Sequence, residues 1–130
     1  MAEKRITYRT KTDIDNTLKL RDVLKNLPPF ARDYFRSIDG TTTTKTRISY
    51  AYDIRIFFNF LLTENPSFKG KSVTDFTVDV LDRLEALDIE EYQEYLKVYQ
   101  GEEKVQTNGE RGLKRKMSAL RSFYAYYYKR

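Results

Sequence analysis

Apolar side chains recur every three or four residues along the last segment of the chain, and this period most constrains the fold. Leu113, Met117, Leu120, Tyr124 and Tyr127 follow one another at spacings of four, three, four and three. An α-helix places such residues on one face, whereas a β-strand turns every second side chain to the same side. The pattern predicts an amphipathic final helix that packs one face against the rest of the protein.

The same period is strongest in the middle of the chain, where a long helix is predicted from Thr43 to Glu64. The Asn65-Pro66 pair ends it, because a residue that precedes proline is pushed out of the helical region. The chain shows no alternating strand pattern and no internal repeat. These observations predict an all-α bundle of about five helices. The buried stripe of the long helix is expected to consist of Tyr50, Ile54, Phe57, Phe58 and Leu61.

Shorter helices are predicted on either side of this segment. They are expected at 16–27, at 28–38 and at 88–99, while residues 78–87 form either a helix or two broken turns. Asp88 is expected to be the N-cap of the third of these helices, with Glu91 completing a capping box. Residues 1–15 are expected to be a loose arm and residues 100–106 a polar loop. The interpretation divides the chain into an N-terminal arm with a short helix, 1–27, and a main domain, 28–130.

Composition excludes several classes of chemistry. The chain has 130 residues, a net charge of +5, no cysteine and no histidine, so it has neither disulfide nor imidazole chemistry. No apolar run is long enough for a membrane span and no signal peptide opens the sequence, which favours a cytoplasmic protein. Neither a metal-binding loop nor a glycine-rich phosphate loop is present. We therefore expect no enzymatic activity of this segment, no metal, no cofactor, no membrane and no small-molecule substrate.

Charge is concentrated in two places. Residues 108–130 contain seven lysines and arginines against one glutamate, whereas residues 79–94 contain seven acids against one arginine. A basic helix face of this kind suits contact with a polyanion, and a helix fits the major groove of duplex DNA. The alternative is an ordinary basic surface helix that faces solvent.

Two predicted helix faces hold the candidate DNA-contacting residues. Those of the 43–64 helix are Lys45, Ser49 and Tyr52, with Arg55 at the flank and Arg47 near the first turn. Those of the final helix are Arg111, Lys114, Arg115, Ser118, Ser122 and Lys129. Two such faces on one side of a bundle would straddle a duplex.

Three motifs in order resemble the core-binding domain of tyrosine recombinases, the phage integrase and Xer family. They are T-x-x-x-Y-x-x-D-I-x-x-F-F-x-F-L at 46–61, D-I-x-x-Y-x-x-Y-L at 88–96 and K-R-K-M-S-A-L-R-S-F-Y-x-Y at 114–126. The resemblance covers roughly residues 28–130. Lys116 departs from it, because the family pattern has an apolar residue there, and we expect this side chain to snorkel at the packing edge.

The resemblance implies a SAM-like helical bundle that forms half of a C-shaped clamp on a recombination site. Its second and fourth helices would cross the major groove, and Arg121 joins the residues expected to face or flank DNA. A separate C-terminal domain, absent from this chain, would hold the catalytic residues and the tyrosine nucleophile. The partners implied are double-stranded DNA and, in the parent protein, other recombinase protomers in a tetrameric synapse.

Two other functions remain open at this point. The bundle is alternatively a helical protein–protein interaction module that self-associates without binding DNA, with the acidic segment 79–94 docking on a basic partner. A third reading is an RNA-binding helical domain.

Overall fold

The computed structural model of the protein describes residues 8–101 and 103–128 and confirms an all-α bundle. Its helices are α1 (Tyr8–Leu24), α2 (Ala31–Ser37), α3 (Thr44–Glu64), α4 (Val80–Arg83), α5 (Ala86–Lys97) and α6 (Glu110–Tyr128). A two-stranded antiparallel hairpin, β1 (Val98–Gln100) and β2 (Val105–Thr107), lies between α5 and α6. A short 3₁₀ turn at Val73–Asp75 interrupts the segment between α3 and α4.

The central helix α3 begins and ends almost where the sequence predicts. The side chain of Thr43 accepts a hydrogen bond from the Thr46 backbone N–H at 3.1 Å, so it caps the helix. Asn65 has an extended backbone before Pro66, and the helix ends there. Ile54, Phe58 and Leu61 are fully buried, which confirms the predicted stripe at its centre.

The core of the bundle is rich in aromatic rings. Phe58 on α3 contacts Phe30, Phe76 and Phe123, with ring centroids 5.2–6.1 Å apart. Phe57 and Phe60, also on α3, contact Tyr92 of α5 in the same way, at 5.0 and 5.3 Å. Each such pair contributes about 0.5–1.5 kcal/mol beyond the burial of its area. Together the pairs hold α2, α5 and α6 around α3.

The buried face of α6 differs from the predicted one by a small rotation of the helix. Lys116, Ala119, Leu120 and Phe123 are its buried residues, while the predicted members Leu113, Met117, Tyr124 and Tyr127 are only partly buried. Lys116 was expected at the packing edge, but it is 7% exposed. The face is therefore centred on Phe123, because this residue fills the space between α2 and α3.

The N-terminal segment was predicted wrongly. Residues 8–15 belong to helix α1 and do not form a loose arm, whereas residues 1–7 lie outside the described part of the chain. Leu20 and Val23 of α1, with Leu27 beyond its end, are buried in the same core as α3. Helix α2 is also shorter than predicted, because Pro28 and Pro29 form a turn that precedes it.

Two further predictions between residues 88 and 110 need correction. Residues 78–87, predicted as a helix or two broken turns, contain a turn followed by the four-residue helix α4. Asp88 is not the N-cap of α5: Glu85 is, and Asp88 completes the capping box by accepting from the Glu85 N–H at 2.8 Å. The predicted polar loop contains the β1–β2 hairpin, so α5 ends at Lys97 and α6 begins only at Glu110.

None of the helices formed by residues 8–101 and 103–128 combines the length and the apolar character that crossing a membrane requires.

We expect Leu120→Ala to lower the free energy of unfolding by about 2–5 kcal/mol, because it opens a cavity in the core. Leu120 is 3% exposed. The matched control is Leu87→Ala, since Leu87 is 59% exposed and its truncation is expected to change stability by less than about 0.5 kcal/mol. Urea denaturation of both variants is the measurement, and equal midpoints would contradict the burial of Leu120 in the core.

Candidate nucleic-acid interface

The outward face of α3 bears the polar residues that the sequence predicts there. Lys45 and Asn59 are exposed, while Ser49, Tyr52 and Ile56 are partly exposed. The Arg55 guanidinium lies over the Tyr52 ring at 5.0 Å, a cation–π contact that fixes both side chains. The Tyr52 ring thus lies beside the Arg55 guanidinium, on the helix face that also bears Lys45.

The outward face of α6 is basic from Arg111 to Arg121. Its exposed residues are Arg111, Lys114, Arg115, Ser118, Arg121 and Ser122. Lys114 pairs with Glu110 one turn away at 3.4 Å, but both side chains are exposed, so this ion pair is weak. The small side chains of Ser118 and Ser122 leave the helix backbone open to close approach between the longer cations.

One ion pair joins the two faces. Arg115 of α6 donates to the buried carboxylate of Asp53 on α3, with Nη2 and Oδ1 3.1 Å apart. Asp53 borders the outward face of α3, one helical turn from Ser49. Helices α3 and α6 pack against each other, so their outward faces form one continuous surface, which we call the basic surface: Lys45, Ser49, Tyr52, Arg55, Arg111, Lys114, Arg115, Ser118, Arg121 and Ser122.

Ser122 is also tied to the bundle. Its hydroxyl shares a hydrogen bond of 2.7 Å with the hydroxyl of Tyr34, a buried residue of α2. Burial raises the pKa of Tyr34, so the phenol stays protonated at neutral pH. Ser122 therefore marks the edge of the basic surface next to α2.

Arg47 does not belong to the basic surface, which corrects the sequence-based expectation. It is 8% exposed, and its guanidinium donates to the carbonyl oxygens of Asp39 and Thr42 at 2.9 and 2.6 Å. It also contacts the Asp39 carboxylate at 3.3 Å and donates to the hydroxyls of Thr42 and Thr44, each at 3.2 Å. Arg47 thus holds the connection between α2 and α3 together. Lys129, which the sequence also suggested as a DNA-contacting residue, lies outside the described residues.

The β1–β2 hairpin lies beside the basic surface and was missed in the sequence. Tyr99 and Gln106, which face each other across the strands, line a groove of about 280 Å³ with Arg55, Ile56 and Asn59 of α3. Gly101 makes the tight turn possible, because a Cβ atom there would lie 2.9 Å from the Lys104 carbonyl oxygen. Strands of three residues are too short to show a period of two, so only this glycine signalled a turn.

Lys116, a buried lysine of α6, is hydrogen-bonded to the segment that precedes this helix. Lys116 Nζ donates to Asn108 Oδ1 at 2.8 Å, and Asn108 in turn donates to the Leu96 carbonyl oxygen at 2.7 Å. Burial lowers the pKa of Lys116, while the charge of Asp53 acts in the opposite direction. This chain of hydrogen bonds connects the end of α5 to α6 and places Arg115 next to Asp53.

Acidic residues lie on a different side of α6. Helix α5 packs against the side of α6 that bears Leu113 and Met117, whereas Arg111 and Ser118 point away from it. The acids of α5 are therefore on another side than Arg111 and Ser118, whereas Arg121 of the basic surface lines a groove together with Glu85. No group of three or more acidic side chains in residues 8–101 and 103–128 is arranged to hold a metal ion.

Comparisons of the chain with protein-family models, with curated proteins and with solved structures found no match. What the basic surface does is therefore argued from its own geometry and charge.

We expect Arg47→Ala to lower the free energy of unfolding by about 1.5–3 kcal/mol, because several charged hydrogen bonds to the loop are lost together. Arg36→Ala is the control, since its ion pair with Asp33 is exposed and contributes little. Thermal unfolding compares the two. A melting temperature of the Arg47 variant equal to that of the Arg36 variant would show that the guanidinium does not stabilise the connection.

Proposed function

We propose that this domain binds double-stranded DNA through the basic surface, as the core-binding domain of a site-specific tyrosine recombinase or integrase. The observation that supports this most directly is the junction of two outward helix faces, on α3 and α6, at the Arg115–Asp53 contact. Besides Arg115, which binds Asp53, the basic surface has five cations: Lys45, Arg55, Arg111, Lys114 and Arg121. Surfaces with this density of cations are typical of phosphate contact.

The dimensions of the two helices suit a duplex. With 21 residues in α3 and 19 in α6, each helix is roughly 30 Å long. The major groove of B-DNA is about 12 Å wide and admits one α-helix. Lysines and arginines such as Lys45 and Arg111, in the first turns of the helices, would contact phosphates, and serines and Tyr52 would approach base edges or sugars.

The resemblance to tyrosine recombinases supports the same function. Its first and third motifs, at 46–61 and 114–126, lie in α3 and α6, and the contact between Asp53 and Arg115 joins one motif to the other. In this proposal the segment binds and positions a recombination site in the cytoplasm, and it does not cleave DNA. Cleavage and rejoining through a phosphotyrosine would belong to a separate domain, and other protomers would complete the synapse.

We expect Lys45→Ala and Arg111→Ala each to weaken binding to a duplex oligonucleotide. Loss of one phosphate contact also reduces the slope of log affinity against log salt concentration by about one. Lys25→Ala is the control, because Lys25 is exposed beyond α1 and outside the basic surface. Fluorescence anisotropy at two salt concentrations measures both effects.

Two outcomes would contradict this proposal. Equal loss in the Lys25 variant would show that only net charge matters, and a structured RNA that displaces the duplex at equal concentration would favour RNA as the ligand.

A second candidate function, self-association, is favoured by a groove on the acidic side of the molecule. The groove has a volume of about 310 Å³ and lies between α4, the start of α5 and α6, with Leu84, Ile89, Met117 and Tyr124 in its lining. Glu85 lines it, and Asp82 accepts a hydrogen bond at 2.9 Å from Tyr128, which lines it too. An apolar groove with an acidic rim suits a helix whose exposed face is apolar and basic.

Helix α1 has a stripe of this kind, which the exposed Asp15 and Asp22 border on one side. Its exposed residues Lys11, Ile14, Leu18 and Arg21, followed by Lys25, recur at spacings of three and four, so they form one stripe. Ile14 and Leu18 are 44% and 55% exposed, although both are large and apolar. A second copy of the chain could therefore place its α1 in the groove, in a head-to-tail contact.

We expect Leu18→Asp to abolish any concentration-dependent association, because it adds a carboxylate to a stripe that meets an acidic rim. Val98→Asp is the matched control, since Val98 is 63% exposed on the hairpin and outside both surfaces. Sedimentation equilibrium without DNA measures the effect. A wild-type protein that stays monomeric at the highest concentrations would eliminate this candidate.

A further inference from the structure

A carboxylate lies directly beneath the basic surface, where it would be expected to repel DNA. Asp53 is 2% exposed, and its Oδ1 accepts a hydrogen bond from Arg115 Nη2 at 3.1 Å. Its other oxygen, Oδ2, is buried and has no hydrogen-bond partner among the described residues. The Arg115 side chain is 58% exposed, so its guanidinium reaches from the buried carboxylate to the protein surface.

The surroundings of Asp53 disfavour its charged form. Burial raises the pKa of Asp53 above its usual value, even though the charges of Arg115 and Lys116 act to lower it. A raised pKa means that the ionised carboxylate is less favourable in the folded protein than in water, so it opposes folding at neutral pH. An asparagine of the same shape would avoid this cost. Groups whose pKa is shifted by burial beside a specific charged partner are more frequent at functional sites than elsewhere.

We propose that Asp53 is a positioning residue for Arg115 at the DNA interface. Asp53 Oδ1 holds one nitrogen of the guanidinium, which leaves the other N–H groups of this exposed side chain for a backbone phosphate. An arginine that is already held in one geometry loses less conformational freedom when it binds. This role rests on the proposed DNA-binding function and adds to it a buried residue that makes no contact with DNA.

The sign of the effect separates positioning from simple charge. Asp53→Asn removes a negative charge near DNA, so electrostatics alone would strengthen binding. If Asp53 positions Arg115, the same variant weakens binding to a duplex oligonucleotide, roughly two- to tenfold, which corresponds to the cost of immobilising one long side chain. Its melting temperature is expected to equal or exceed that of the wild type, since the buried charge is gone.

A double-mutant cycle with Arg115→Ala tests whether the effect passes through Arg115. In the Arg115→Ala background, Asp53→Asn is expected to cause no further loss of affinity. Arg115→Lys is a second variant on an exposed side chain: it keeps the charge but lacks the planar fork that serves two acceptors, so we expect a loss similar to that of Asp53→Asn.

Several results would overturn the positioning role. They are Asp53→Asn binding as tightly as or more tightly than the wild type, an equal loss in both backgrounds, or a lowered melting temperature with unchanged affinity. Failure of the proposed function itself looks different: the wild-type protein would then show no salt-sensitive affinity for the duplex, and Lys45→Ala and Arg111→Ala would have no effect.

Discussion

The packing of Phe58 is the interaction on which the rest of the structure depends. This ring is fully buried in the middle of α3 and contacts rings from the turn before α2, from the segment before α4 and from α6. Protein cores are close-packed, so a ring enclosed in this way permits little rotation of the helices around it. The relative orientation of α3 and α6, and with it the shape of the basic surface, follows from this cluster.

This orientation also separates the charges of the molecule. Helix α6 turns Arg111 and Ser118 away from α5, whereas Arg121 and Glu85 line the apolar groove between α4, α5 and α6. A ligand with many phosphates is attracted to one side and repelled by the other, which favours a single docking direction. The same separation supplies both complementary surfaces for a head-to-tail contact between copies. The two candidate functions therefore use largely different faces, which share Arg121 as a lining residue of the groove.

Hydrophobic periodicity predicted the helices well, because α3 and α6 are long enough for the period of 3.6 to be unambiguous. The errors occur where a single side chain determines which residues are buried or which residue caps a helix. Lys116 interrupted the apolar pattern of α6, so Phe123 was left out of its buried face. Arg47 and Arg55 are alike in sequence, and only the loop from Asp39 to Thr44 shows that the former is enclosed. Glu85 and Asp88 are both able to cap a helix, and the choice between them depends on tertiary contacts such as Asn65 Nδ2 to Asp88 Oδ1.

The tyrosines at the end of α6 have a consequence for its motion. Tyr127 donates to the Phe30 carbonyl oxygen at 2.7 Å, and Tyr128 donates to the Leu81 carbonyl oxygen at 3.2 Å. The last turn of a helix ordinarily frays, and its amide hydrogens exchange with solvent on their own. Here that turn is bonded to two separate segments of the bundle, so its opening is coupled to theirs. The C-terminal turn of α6 is therefore held rigidly, and the two contacts fix the rotation of the helix about its axis.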